Sequence, residues 1–194
     1  MICFCDVEKD KMKRTFLLLL AGCLLMTPSC KKDDPEKDTK DSIYYLKEDY
    51  KKVVKEYPEA DGFFIEAVYE LSGKVSETDL KDLKPVKATY YFQWVGKDDV
   101  ARLAVMERDF LTGEVSDIYF EEVSSPWEDT KLGNFDGLIS LEEALEKLKA
   151  SSYNPATAIV TLREPVIYKT TVRYMFGDKV YVDATTGEVF GPAD

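Results

Sequence analysis

The chain predicts an α+β fold of two tandem units, each a helix packed on a small antiparallel sheet. Three observations carry that expectation. Apolar residues fall at helical spacing twice, from Ile43 and from Leu141, and each stretch is followed by short runs of strand composition. Asp109-Phe-Leu-Thr-Gly-Glu-Val115 and Asp183-Ala-Thr-Thr-Gly-Glu-Val189 agree at five of seven positions, each at the end of an alternating strand. A polar stretch, residues 124–137, separates the two halves and reads as a linker. Residues 42–123 form the first expected unit and 138–194 the second. Whether they share one sheet is left open at this stage.

The first residues carry an address. Lys13 and Arg14 precede an apolar stretch from Phe16 to Met26, the layout of a secretory signal peptide. The stretch is shorter than the roughly 20 apolar residues of a membrane-crossing helix. Residues 1–11 contain Asp6, Glu8 and Asp10 and fit such a leader poorly, so Met12 is read as the true start. Residues 1–29 are then the leader, and Cys30 is the expected lipid-attachment site, followed at once by Lys31-Lys32-Asp33-Asp34. Cys23, after Leu20-Ala21-Gly22, is the alternative: its lipobox is better, but it leaves a short apolar core. Residues 30–41 have no apolar side chain to bury and form a charged tether. Their lysine-then-acidic start resembles the surface-export signal of some outer-membrane lipoproteins. A lipidated cysteine would place the protein on the outer membrane.

The elements follow in order. Leu46, Tyr50, Val53, Val54 and Tyr57 share a helix face, and Pro58 ends the helix. Strands are expected at Phe63–Tyr69, Thr89–Val95, Val100–Arg108 and Val115–Glu122, with Lys74–Lys87 as a loop or short helix. Ser140 with Glu143 forms a capping box at the second helix start. Ala158–Arg163, Ile167–Phe176 and Lys179–Asp183 follow as strands, and Val189-Phe190 begins a last short one. In the repeated motif, Gly113 and Gly187 supply the positive φ of a tight turn, and the aspartates can accept from turn amides. An internal duplication and two unrelated hairpins both account for the motif.

Ile139-Ser-Leu-Glu-Glu-Ala144, then strands, then Tyr181-Val-Asp-Ala-Thr-Thr-Gly-Glu-Val189 resembles the PepSY domain. The resemblance covers Leu138–Phe190; over Ile43–Phe120 only the turn motif matches. It implies a helix running into a three-stranded antiparallel sheet, and a cell-envelope protein that binds or restrains peptidases. The motif residues are turn and cap chemistry, so the resemblance assigns no binding site.

Composition narrows the chemistry. With 26 basic and 37 acidic side chains the net charge is -11, against the basic surface that nucleic acid requires. The chain has no histidine and 4 cysteines, and none of these lies beyond Cys30. Cysteine–histidine and serine–histidine nucleophiles and the usual zinc sites are thereby excluded. No cofactor site and no metal loop is read, and no residue is assigned a catalytic role. The expected function is a non-enzymatic, lipid-anchored envelope module that binds a protein or peptide, a peptidase first among them. A surface glycan-binding lipoprotein and a carboxylate-based hydrolase are the alternatives. Two tryptophans are the candidate binding face. Trp94 ends the aromatic run Tyr90-Tyr91-Phe92, whose members must point to both sides of a sheet. Trp127 lies in the polar linker.

Overall fold

The computed structural model describes residues 40–124, 135–164 and 171–191. Two α-helices and eight strands occur among them: α1 (Ser42–Glu56), β1 (Phe64–Leu71), β2 (Pro85–Val95), β3 (Ala101–Asp109), β4 (Tyr119–Val123), α2 (Leu141–Ala150), β5 (Ile159–Arg163), β6 (Arg173–Phe176), β7 (Val180–Asp183) and β8 (Val189–Phe190). The strands make one antiparallel sheet in the order β4-β3-β2-β1-β5-β6-β7-β8.

This overturns the expectation of two tandem helix-on-sheet units: the protein is mostly β, with a single eight-stranded sheet. The reason is the seam. β1 pairs with β5 from Glu66↔Arg163 to Glu70↔Ile159, joining strands from both expected units. Each half-sheet would otherwise end on a row of unpaired backbone groups, which an antiparallel partner satisfies. Ala67 and Leu162, and Tyr69 and Val160, then stand side by side in one continuous core.

Both helices cover the same face. Ala67 and Tyr69 of β1, Ala88, Tyr90, Phe92 and Trp94 of β2, and Val160, Leu162, Tyr174 and Phe176 beyond the seam are buried there. Alternate residues such as Lys87, Thr89 and Tyr91 point to the opposite face, following the two-residue strand period. Asp41 caps α1 by accepting from the Tyr44 amide at 2.8 Å, and Ser140 caps α2 by accepting from the Glu143 amide at 3.2 Å. The helix starts touch: Ser42 Oγ donates to Glu142 at 2.9 Å and accepts from the Leu141 amide at 2.7 Å. Leu46 and Val53 from α1 and Leu141, Leu145 and Leu148 from α2 fill the space above the sheet, each contributing about 1.5–3 kcal/mol of burial.

The repeated motifs form the same turn. Asp109 Oδ1 accepts from the amides of Leu111 and Thr112 at 2.7 and 2.9 Å; Asp183 Oδ1 accepts from those of Thr185 and Thr186, both at 2.8 Å. Gly113 and Gly187 sit at φ +77° and +73°, and their amides return to the Asp109 and Asp183 carbonyls at 2.9 Å. Three further expectations shift. The charged stretch Lys74–Lys87 holds a 3-10 turn at Leu80–Asp82 and the first residues of β2. The fourth strand begins at Tyr119 rather than Val115, which makes only an isolated bridge to Arg108. Within the expected linker, Phe135 is buried, its ring edge-on to Phe64 and Tyr50.

Candidate functional site

The two sheet edges differ. β8 is two residues long, which blunts it as a pairing surface. β4 is five residues long, pairs with β3 from Ala101↔Val123 to Val105↔Tyr119, and has no strand on its other side among the described residues. It carries no proline and no lysine. Tyr119 is 58% exposed and Phe120 37% exposed.

Beside this edge, on the helix side, lies a cleft of about 420 Å³. Its position follows from how α1 ends. Pro58 cannot continue the helix, so Tyr57 caps it and a 3-10 turn carries the chain toward β1. Tyr50 fixes that turn: its hydroxyl donates to Asp61 at 2.5 Å and accepts from the Gly62 amide at 2.6 Å. Tyr57 is thereby held over the sheet margin, stacked on Phe120 at 4.9 Å and 4° between planes. Trp94 lies beneath both rings, 6.0 Å from Tyr57 and 5.9 Å from Phe120. These three aromatics are the apolar wall.

The rim is charged. Arg102 presents its guanidinium to Asp98 in a two-pronged contact of 2.8 and 2.6 Å, which holds the Asp98 carboxyl well below the usual carboxylate range. The ends of both fork side chains lie over Gly96, where a Cβ would meet Arg102 Nη1 and Asp98 Oδ1 and displace them. Glu122 of β4 stands 3.9 Å from Arg102, and Glu59 and Lys97 complete the rim. On the other side of the strand, the Tyr119 hydroxyl donates to Glu121 at 2.7 Å, and that carboxylate raises the tyrosine pKa.

Trp94 was expected on a binding face; it is 3% exposed and forms the floor of the cleft rather than a surface anchor. Trp127, Cys30 and Cys23 lie outside the described residues. The sequence places Tyr57 on the apolar face of the first helix and gives neither it nor Phe120 a site role. The signal for Phe120 was the Tyr119-Phe120 doublet, since adjacent strand residues face opposite sides and one of two aromatics must meet the helix layer. A second depression, of about 660 Å³, lies at the helix starts and is rich in acids. Two of them have structural partners: Asp41 accepts from the Tyr44 amide and Glu142 from Ser42. Among the described residues no three His, Cys, Asp or Glu side chains are grouped to hold a metal ion, and no helix is long and apolar enough to cross a membrane. Set against known protein families, curated proteins and solved structures, the chain matches none.

An edge strand next to an aromatic cleft can accept an extended backbone. Main-chain hydrogen bonds to a sheet edge supply affinity, and a pocket for alternate side chains supplies selectivity.

Proposed function

We propose that the protein is a non-enzymatic binding module of the cell envelope, tethered by lipid on Cys30, that captures an extended protein segment along β4. The observation that carries this reading is the β4 edge, which has no partner strand among the described residues, with Phe120 and Tyr57 stacked beside it. Exposed strand edges are usually blunted by charge, and beside the charges of Glu121 and Glu122 this one also carries the exposed aromatics Tyr119 and Phe120. The lipobox-like leader supports the envelope address, with the outer membrane as the expected location. The PepSY-like segment Leu138–Phe190 makes a peptidase the first partner to examine.

The test is site-specific photo-crosslinking in the native envelope. A photoreactive residue replaces Glu122 on β4 or, as a control, the exposed Lys55 on α1. Crosslinks to one protein from position 122 and not from 55 support the reading. A partner captured from 55 and not from 122 contradicts it.

A further inference from the structure

We infer that the segment β4 captures carries two adjacent basic residues followed by two apolar ones; this rests on the edge reading above and adds the chemistry of its partner. β4 reads Tyr119-Phe120-Glu121-Glu122-Val123, so its charges are all acidic and its aromatics lie toward its start. Strand alternation sorts these side chains. Phe120 and Glu122 share the helix face, as their partners Ala104 and Arg102 do, while Tyr119 and Glu121 share the other.

A new antiparallel strand places its residues directly opposite, with Cβ atoms about 4.5–5.5 Å apart. Running from Val123 toward Tyr119, the incoming chain meets Glu122 and Glu121 first and Phe120 and Tyr119 next. On each face, therefore, one basic and one apolar side chain are matched. The residue opposite Phe120 lies against the ring that walls the cleft, and the one opposite Tyr119 covers a ring now 58% exposed.

Charge complementarity favours this occupant over others. Glu121 accepts from the Tyr119 hydroxyl but has no cation within 4 Å among the described residues. Glu122 has Arg102 at 3.9 Å, yet that guanidinium is already committed to Asp98 at 2.6 Å. A second copy of this chain would set acidic β4 against acidic β4, and like charges opposite one another repel. An acidic segment meets the same penalty.

The test uses the full-length lipoprotein in detergent and two labelled peptides, read by fluorescence anisotropy. One carries Thr-Lys-Arg-Val-Phe-Thr at its centre; the other has Glu-Asp in place of Lys-Arg. The basic peptide is expected to bind about tenfold tighter at low salt, from two exposed ion pairs. The gap should close with added salt and in Glu121→Gln/Glu122→Gln. Equal binding of both peptides, lost in Phe120→Ala, would overturn the charge rule while the edge reading stands. Preference for the basic peptide that persists in the double glutamine variant would likewise overturn it, since the charge would be read elsewhere. Binding of neither peptide would overturn both.

Discussion

Arg108 of β3 donates from Nε and Nη2 to the two carboxylate oxygens of Asp49 on α1, at 2.5 and 2.7 Å, with both side chains buried. The Tyr45 ring lies 4.5 Å from the guanidinium carbon, and Lys52 adds a contact to Asp49 at 3.2 Å. Aligning the helices at their caps, Asp41 and Ser140, sets Asp49 against Leu148. Aligning the strands at the turn aspartates sets Arg108 against Val182. The positions that are ionic in one half are apolar and fully buried in the other.

That comparison makes a sharp prediction. Asp49→Ala leaves a buried guanidinium without its partner and is expected to cost about 3–5 kcal/mol. Asp49→Leu with Arg108→Val installs the other half's solution and should lose much less. Urea denaturation of the two variants decides it. A double variant as unstable as the single one would show that the two halves pack differently around these positions.

The turn aspartates shape the acid limb of stability. The amides of Thr112 and Leu111 lower the Asp109 pKa. For Asp183, burial pushes upward, but the amides of Thr186 and Thr185 and the Thr171 and Thr186 hydroxyls outweigh it, so the pKa is lowered. A lowered folded pKa means stability that is present above about pH 4, the unfolded aspartate range, and lost as pH falls through the folded value. Asp183→Asn is expected to cost about 1 kcal/mol at pH 7, a cost that shrinks as pH falls through the lowered folded value. A loss that does not change with pH would contradict this.

Glu66 has the opposite sign. It sits on the face away from the helices, buried, and desolvation raises its pKa despite Arg163 at 3.7 Å. Its contribution is most favourable at low pH and declines as pH rises from the unfolded glutamate range through the raised value. Glu66→Gln should flatten this part of the stability–pH curve, measured by thermal unfolding between about pH 4 and 7. An unchanged slope would mean that the carboxyl is not desolvated.

How much of this was legible beforehand depends on the range of the interaction. The helices were readable because the 3.6-residue period and the Ser140 cap are local; the Asp41 cap, assigned to the tether, was not read. The two turns were readable because Gly113 and Gly187 occupy a backbone region few other residues tolerate. The β1–β5 seam was not, since antiparallel pairing between strands distant in sequence leaves no local mark in either. The side that Trp94 faces was open for a related reason: in Tyr90-Tyr91-Phe92-Gln93-Trp94 the alternation is visible, but which side the helices cover is decided by the assembled sheet. Phe120, 37% exposed, owes that position to β4 lying last in the sheet among the described residues.

Burial separates two aromatic substitutions at the cleft. Trp94→Ala opens a core cavity and is expected to cost about 3–5 kcal/mol, so any loss of binding in it reports folding. Phe120→Ala removes a half-exposed ring and should cost about 1 kcal/mol or less while weakening capture. Circular dichroism melts of both variants check the split. A Trp94→Ala variant as stable as the native chain would contradict the placement of that ring beneath Tyr57 and Phe120.

Capture of a partner strand by β4 is measured most directly by amide hydrogen exchange on the full-length protein with and without the basic peptide. Protection should rise at the Tyr119–Val123 amides that point away from β3 and stay unchanged along the short β8 edge. Bound peptide with β4 exchange unaltered would contradict capture along β4.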